Sequence, residues 1–266
     1  MSIKASFLAL SPALPSELLS YILTRQVYPT TLLICQPRAT FLTSLLNSID
    51  NTTPRQQPPP TETLGHDEPP EPPTPAPTQQ HPLLIPALHQ IATARHITLV
   101  YIPTVTHLRA YLAAFPPLPD PDKTPPSEQV FDKLGRKVPL LVVYGPVELH
   151  RDTSEWSAQG LGNSVAGLVD AGWRCGRRVV VLEERQGGVG DEVEEEIGIE
   201  REGEGEGEDE KWKRPCAVWE QRVPILNGSV RRAGLESEDG AWSGRTVEIG
   251  RVFARWFEFG RGDWVT

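Results

Sequence analysis

Near-continuous apolar runs punctuate the chain at Thr31–Cys35, Ile97–Ile102, Val138–Tyr144 and Arg178–Leu182. Cores such as Leu140-Leu-Val-Val143 show no polar alternation, which is what a strand buried on both faces of a helix-covered parallel sheet requires. Between these runs the period lengthens. Phe41, Leu42, Leu45, Leu46 and Ile49 fall on one face of a helix over Thr40–Ile49. Helices are also predicted over Pro15–Leu23, with Ser16 as its cap, and over Leu83–Arg95, Val105–Phe115 and Trp156–Trp173. The glycines of the last weaken it. Beyond residue 216 the pattern switches to alternation. Ala217–Leu226 and Thr246–Phe259 predict a β-rich, antiparallel end, with Phe253, Arg255 and Phe257 on one face of a strand. The expected fold is α/β: a mostly parallel sheet covered by helices on both faces, with an antiparallel β C-terminal part.

Composition sets the boundaries of that domain. The chain has 266 residues, enough for one large domain, but its 27 prolines are too many for a compact α/β fold. Many of them lie in the stretch 51–81, which is Pro, Thr, Gln and Glu with almost nothing to bury. Two further segments, 116–127 and 186–210, interrupt the apolar pattern in the same way. All three read as insertions into a single domain spanning 1–266, since loop closure costs little extra as loops lengthen. The net charge of −9 belongs mainly to the third insertion. Between Asp191 and Glu210 stand twelve carboxylates and one arginine, a local charge of −11, which leaves +2 for everything else.

Other patterns exclude function classes. No apolar run approaches the roughly 20 residues that cross a bilayer, so no membrane partner is expected. The N-terminus, broken by Pro12 and Pro15, reads as the start of a domain rather than a signal peptide. Cys35, Cys175 and Cys216 are too few and too scattered for a disulfide framework or a zinc site. A reducing, intracellular compartment is expected, and the sequons at Asn51 and Asn227 are then chance matches.

The most telling chemistry is missing chemistry. Thr31–Cys35 followed by Gln36-Pro37-Arg38-Ala39 and the helix from Thr40 has the strand–loop–helix frame of a phosphate loop. Such a loop needs glycines whose N–H groups wrap the phosphates, a lysine, and a hydroxyl for Mg²⁺. There is no glycine and no Gly-Lys pair here, and Pro37 removes an N–H donor. Arg38, Thr40 and Tyr144 mark this degenerate nucleotide site, with Tyr144 ending a strand where a metal-binding aspartate would stand. Arg38 at a helix N-terminus suggests a phosphate contact, although an exposed loop arginine is the simpler account.

The block Leu140-Leu-Val-Val-Tyr-Gly-Pro-Val-Glu-Leu-His-Arg-Asp-Thr-Ser-Glu-Trp-Ser-Ala-Gln159, followed by the helix to Trp173 and the strand Arg178–Glu183, resembles the RecA-like recombinase core. Glu155-Trp-Ser-Ala-Gln159 matches the Glu-x-Ser-Ala-Arg-Gln-like helix start of recombinases and their paralogs, and His150-Arg-Asp152 sits where the family's preceding loop lies. The family's lysine and aspartate have no counterparts, and no amino-terminal helical domain is expected. The resemblance implies a divergent paralog of the kind found as non-catalytic subunits of Shu-type complexes. Such subunits are nuclear and assist recombinase loading on single-stranded DNA in homologous recombination. Their partners are other RecA-like or recombinase subunits in a hetero-oligomer, and no cofactor is implied. The accessory subunits of Elongator, which bind tRNA, are RecA cores without nucleotide motifs as well, and that alternative stands beside the first.

The remaining candidates carry two readings each. Arg174, Arg177 and Arg178, with Lys211, Lys213 and Arg214 after the acidic run, are interleaved with Trp173 and Trp212. They form a candidate backbone-tracking and base-stacking surface for single-stranded nucleic acid. Solvated charge beside core tryptophans is an equal reading. His150 with Asp152 or Glu148 suggests an acid/base or metal pair, but no second His/Cys cluster supports a metal, and no nucleophile elbow appears. Gly160, Gly162 and Gly167 are best explained by close helix packing. Enzyme activity is not expected.

Overall fold

The computed structural model describes residues 7–25, 27–52, 81–85, 87–116, 138–185, 217–226, 245–262 and 264. The three insertions fall almost entirely outside these residues, as do Lys211, Lys213 and Arg214.

In chain order the elements are β1 (Phe7–Leu10), α1 (Pro15–Arg25), β2 (Thr30–Ile34), α2 (Arg38–Thr52), α3 (Leu88–Ala94), β3 (Ile97–Tyr101), α4 (Val105–Ala113) and β4 (Leu140–Tyr144). There follow a 3₁₀ turn at Glu148–His150, α5 (Ala158–Arg174), β5 (Arg178–Leu182), α6 (Ala217–Glu220), β6 (Arg222–Pro224), β7 (Thr246–Glu248), α7 (Ile249–Phe253) and β8 (Glu258–Gly260). Six strands form one sheet in the order β3-β2-β4-β5-β1-β8. Every pairing in it is parallel.

Both faces of the central strands β2, β4 and β5 are covered, as their unbroken apolar runs require, while the edge strand β3 is half-buried to exposed and β8 is exposed. Leu33, Leu141, Val143, Val179 and Val181 turn to a core shared with α4, α5 and α7. Their neighbours Leu32, Ile34, Val142, Tyr144 and Val180 turn to a second core under α1 and α2. Adjacent residues feed opposite cores, so neither face of these strands meets water.

The alternating C-terminal region is only partly strand. β6 and β7 form a separate two-stranded antiparallel sheet, while β8 joins the main sheet parallel to β1. The predicted strand face of Phe253, Arg255 and Phe257 is corrected: residues 249–253 are helical. Phe253 and Phe257 meet through a helical turn with ring centroids 5.8 Å apart, and Arg255 is exposed. The cap of α1 and the start of α3 also differ from expectation. Ser16 lies inside α1 and is buried; the end is satisfied by Glu17, whose Oε2 accepts from Leu14 N at 2.7 Å. α3 begins only at Leu88, where Ala87 N donates to Gln90 Oε1 at 2.9 Å.

Gly172 explains how α5 approaches the sheet. A Cβ there would lie 2.3 Å from Val179 and 3.1 Å from Phe7. Of the glycines singled out in the sequence, Gly160 is tight against the Glu155 carbonyl, while Gly162 has nothing nearer than 4.0 Å.

Candidate functional site

In an open parallel sheet, ligands bind outside the carboxyl ends of the strands, where the direction of strand succession reverses. Here that place is between β1 and β5. The chain leaving β1 crosses toward β2 on one side, and the chain leaving β5 arrives at β8 on the other. The loop there is Ser11-Pro12-Ala13-Leu14, not the segment after β2. This corrects the placement of the phosphate-loop frame at Thr31–Leu42, because β4 and β5 stand between β2 and β1.

Main-chain bonds tie the loop after β1 into the sheet on the β5 side of the crevice. Ala13 N donates to the Glu183 carbonyl at 3.0 Å, and Arg185 N donates to the Ala13 carbonyl at 3.0 Å. These bonds extend the β1–β5 ladder as a parallel bridge between Ala13 and Glu184. From β4 the Tyr144 hydroxyl donates to the same Ala13 carbonyl at 3.0 Å. The loop contains no glycine, and Pro12 offers no N–H. A phosphate needs several convergent N–H donors, and the Ala13 and Arg185 N–H groups here are already spent on the sheet.

Tyr144 is fully buried. Its ring meets Phe41 edge-on at 6.0 Å, and burial pushes the phenol's pKa up. Arg38 and Thr40 start α2 at the same end of the sheet, both exposed. The structure thus separates the three candidate nucleotide-site residues into one core residue and two surface residues.

Against the loop after β1 lies a polar cavity of about 420 Å³ whose wall includes Leu14, Ser44, Glu148, Arg151, Glu183, Glu184 and Arg185. Its charges are largely paired. Arg185 reaches Glu17 at 3.1 Å and Arg151 reaches Glu148 at 2.6 Å, while Ser44 donates to Glu184. Glu183 is the exception. Its carboxyl accepts from Val147 N at 2.8 Å and Glu148 N at 3.4 Å. Burial nevertheless pushes its pKa up to about 8, against the pull of those two donors. Burial, and then the charge of Glu183, also raises the Cys35 thiol.

The His150 group proves to be internal. His150 is buried, with Nδ1 on the Pro146 carbonyl at 2.7 Å and Nε2 on Ser164 Oγ at 2.9 Å. A carbonyl can only accept, so Nδ1 carries the hydrogen, and in the neutral ring Nε2 accepts from Ser164. Arg109 Nε donates to the same Ser164 Oγ at 3.1 Å, and its other end pairs with Glu155 at 2.7 Å. The network ties α4, α5 and the 3₁₀ turn together, and burial lowers the His150 pKa. Asp152 and Glu148, the partners suggested by sequence, take no part in it. Among the described residues no group of three or more His, Cys, Asp or Glu side chains is placed to hold a metal, and no helix is long and apolar enough to cross a membrane.

The basic candidates divide as well. Arg177 is 5% exposed. Its guanidinium donates to Thr31 Oγ1 at 3.1 Å and the Leu140 carbonyl at 3.4 Å, and lies 4.9 Å above the Phe115 ring. It is removed from the nucleic-acid surface, because it is buried where it joins β2, β4 and the end of α4. Arg174 stays partly exposed but donates to the carbonyls of Leu112 and Phe115 at 2.9 and 3.1 Å, finishing α4. Arg178 is half-buried at the start of β5. Trp173, expected to pack internally in the simpler reading, is 64% exposed beside them.

No family model matches the chain, and no curated protein matches it. Among solved structures it is similar to a DnaB-like replicative helicase described with its interactions with primase, at 8% identity and a TM-score of 0.35. That likeness covers 74% of this chain and 41% of the helicase chain, so the chain spans less than half the length of that protein.

Proposed function

We propose that this chain is a RecA-like subunit that performs no nucleotide chemistry and acts through other RecA-like or recombinase subunits in homologous recombination. The observation that carries the reading is the glycine-free loop after β1, bonded into the sheet. At the one place where an open parallel sheet offers a ligand site, Ala13 is bonded to both Glu183 and Arg185, and Tyr144 packs beneath it. A fold that keeps its sheet but ties the loop after β1 into it by main-chain bonds suits assembly better than nucleotide turnover.

The surface agrees with a subunit. Leu84, Ile85 and Leu88 are 57, 62 and 86% exposed, a clustering of apolar side chains along one short stretch that favours burial by another chain. The recombination role and nuclear location rest on the resemblance of Leu140–Gln159 to the recombinase family. Single-stranded DNA is a candidate ligand at the end of α5, where Trp173 and Arg174 reach solvent.

Affinity purification of the tagged chain from its native cell, with identification of co-purifying subunits, tests the proposal. Recombinase-type subunits are the expected result. Recovery of tRNA-modification subunits would move the chain to the Elongator reading, and recovery as a lone monomer would end the subunit reading.

A further inference from the structure

Between α1 and α3 runs a groove of about 440 Å³ lined by Leu23, Leu83, Gln90, Ile91, Ala94 and Arg95. Leu84, Ile85 and Leu88 stand exposed along the same stretch of chain, with Leu88 the most exposed large apolar residue described. Arg95 is the one charged residue of the groove's lining, and residues 81–96 contain no carboxylate. Arg25 closes the end of α1, and the one acid of α1, Glu17, lies in its first turn and is paired with Arg185.

We infer that this groove takes an amphipathic helix of a partner subunit, with an apolar face and acidic flanks. This inference rests on the subunit reading above and adds the place and chemistry of one contact. An apolar trough matches a helix presenting residues at i, i+3, i+4 and i+7. Arg95 favours carboxylates beside that face and disfavours lysines, so charge sets the choice of partner while apolar burial supplies affinity. Residues 53–80, the nearest part of this chain in sequence, contain one leucine and no other large aliphatic or aromatic side chain, and lack the means to fill the trough.

The test uses the full chain and two synthetic helical peptides of about 15 residues, roughly four turns. Both carry leucines on one face; one has glutamates on its flanks and the other lysines. Fluorescence anisotropy is expected to show the acidic peptide binding at least tenfold tighter than the basic one, with the difference shrinking as salt rises. Leu88→Asp with Ile91→Asp should remove binding, and Arg95→Glu should reverse the preference. Leu88 and Ile91 are exposed, so circular dichroism and melting should show the variants folded. Equal binding of the two peptides, or none, overturns the inference. So does binding that appears only after residues 54–80 are deleted, self-association lost in the double variant, or competition of the acidic peptide by oligo(dT). These results assign the groove to the chain's own segment, to a second copy, or to nucleic acid. Purifying the double variant from cells separates the two claims. If its partners are retained as fully as by the parent chain, the groove inference fails while the subunit reading stands.

Discussion

The Tyr144 hydroxyl donates to the Ala13 carbonyl across 131 residues of sequence, at 3.0 Å and out of contact with water. Ala13 O also accepts from Arg185 N, so one carbonyl at the reversal point of the sheet joins the ends of β1, β4 and β5. Tyr144→Phe removes one donor and leaves the other, and should lower stability by about 1 kcal/mol. Tyr144→Ala also opens a cavity against Phe41 and should cost about 3–5 kcal/mol. Urea unfolding of both variants checks the order, and equal stabilities would show that the ring does not hold the loop after β1 in place.

Glu183 gives the fold an unusual dependence on pH. Its carboxyl has an ordinary pKa of 4.5 when unfolded and one raised to about 8 when folded. Below 4.5 both states are protonated and the group has no effect. Between 4.5 and 8 the folded protein holds a proton that the unfolded chain has released. Stability therefore falls as pH rises through that window and levels off above it. Glu183→Gln should flatten this part of the melting-temperature profile. A profile unchanged by the substitution would mean that Glu183 ionises normally in the folded state.

Two glycines of α5 should respond in opposite directions. Gly172→Ala drives a methyl into Val179 and Phe7, and overpacking of this kind costs about 1–3 kcal/mol. Gly162→Ala meets nothing nearer than 4.0 Å and should gain up to about 1 kcal/mol from helix propensity. Thermal melts of the two variants on either side of the parent would agree, and a shift in the same direction would not.

Much of the sheet was legible in the sequence because β2, β4 and β5 are buried on both faces and so read as unbroken apolar runs. β1 was not. Phe7–Leu10 is four residues long and lies beside Pro12, and its strand character comes from parallel pairing to β5 and β8 far along the chain. The same distance hid the crevice, since nothing near Ala13 in sequence announces Tyr144, Glu183 or Arg185. The absence of glycine from both candidate loops could be read from composition, but the sheet order was needed to say which loop stands at the reversal point. The basic run Arg174–Arg178 looked uniform. The turn at Gly176, with φ of 60°, sends the chain into β5, and Arg177 then lies against Phe115 rather than at the surface.

That placement changes how the nucleic-acid surface is tested. Arg177→Ala should leave Thr31 and the Leu140 carbonyl without their donor and cost about 2–3 kcal/mol, a loss of fold rather than of ligand. Arg178, Lys213 and Arg214 are the positions to replace with alanine together. If they contact single-stranded DNA, affinity should drop and the salt dependence flatten while the melting temperature stays within a few degrees. Unchanged binding and slope would remove this surface from consideration.

If the reversal point of the sheet no longer admits a nucleotide, isothermal titration of the purified full chain with ATP and Mg²⁺ should be silent. No heat of binding is expected up to millimolar ATP, for the parent chain and for Tyr144→Ala alike, because the backbone bonds of Ala13 persist in either case. Magnesium-dependent binding at micromolar affinity, weakened by substitution of Arg38 or Glu183, would contradict the reading of this chain as a subunit without nucleotide chemistry.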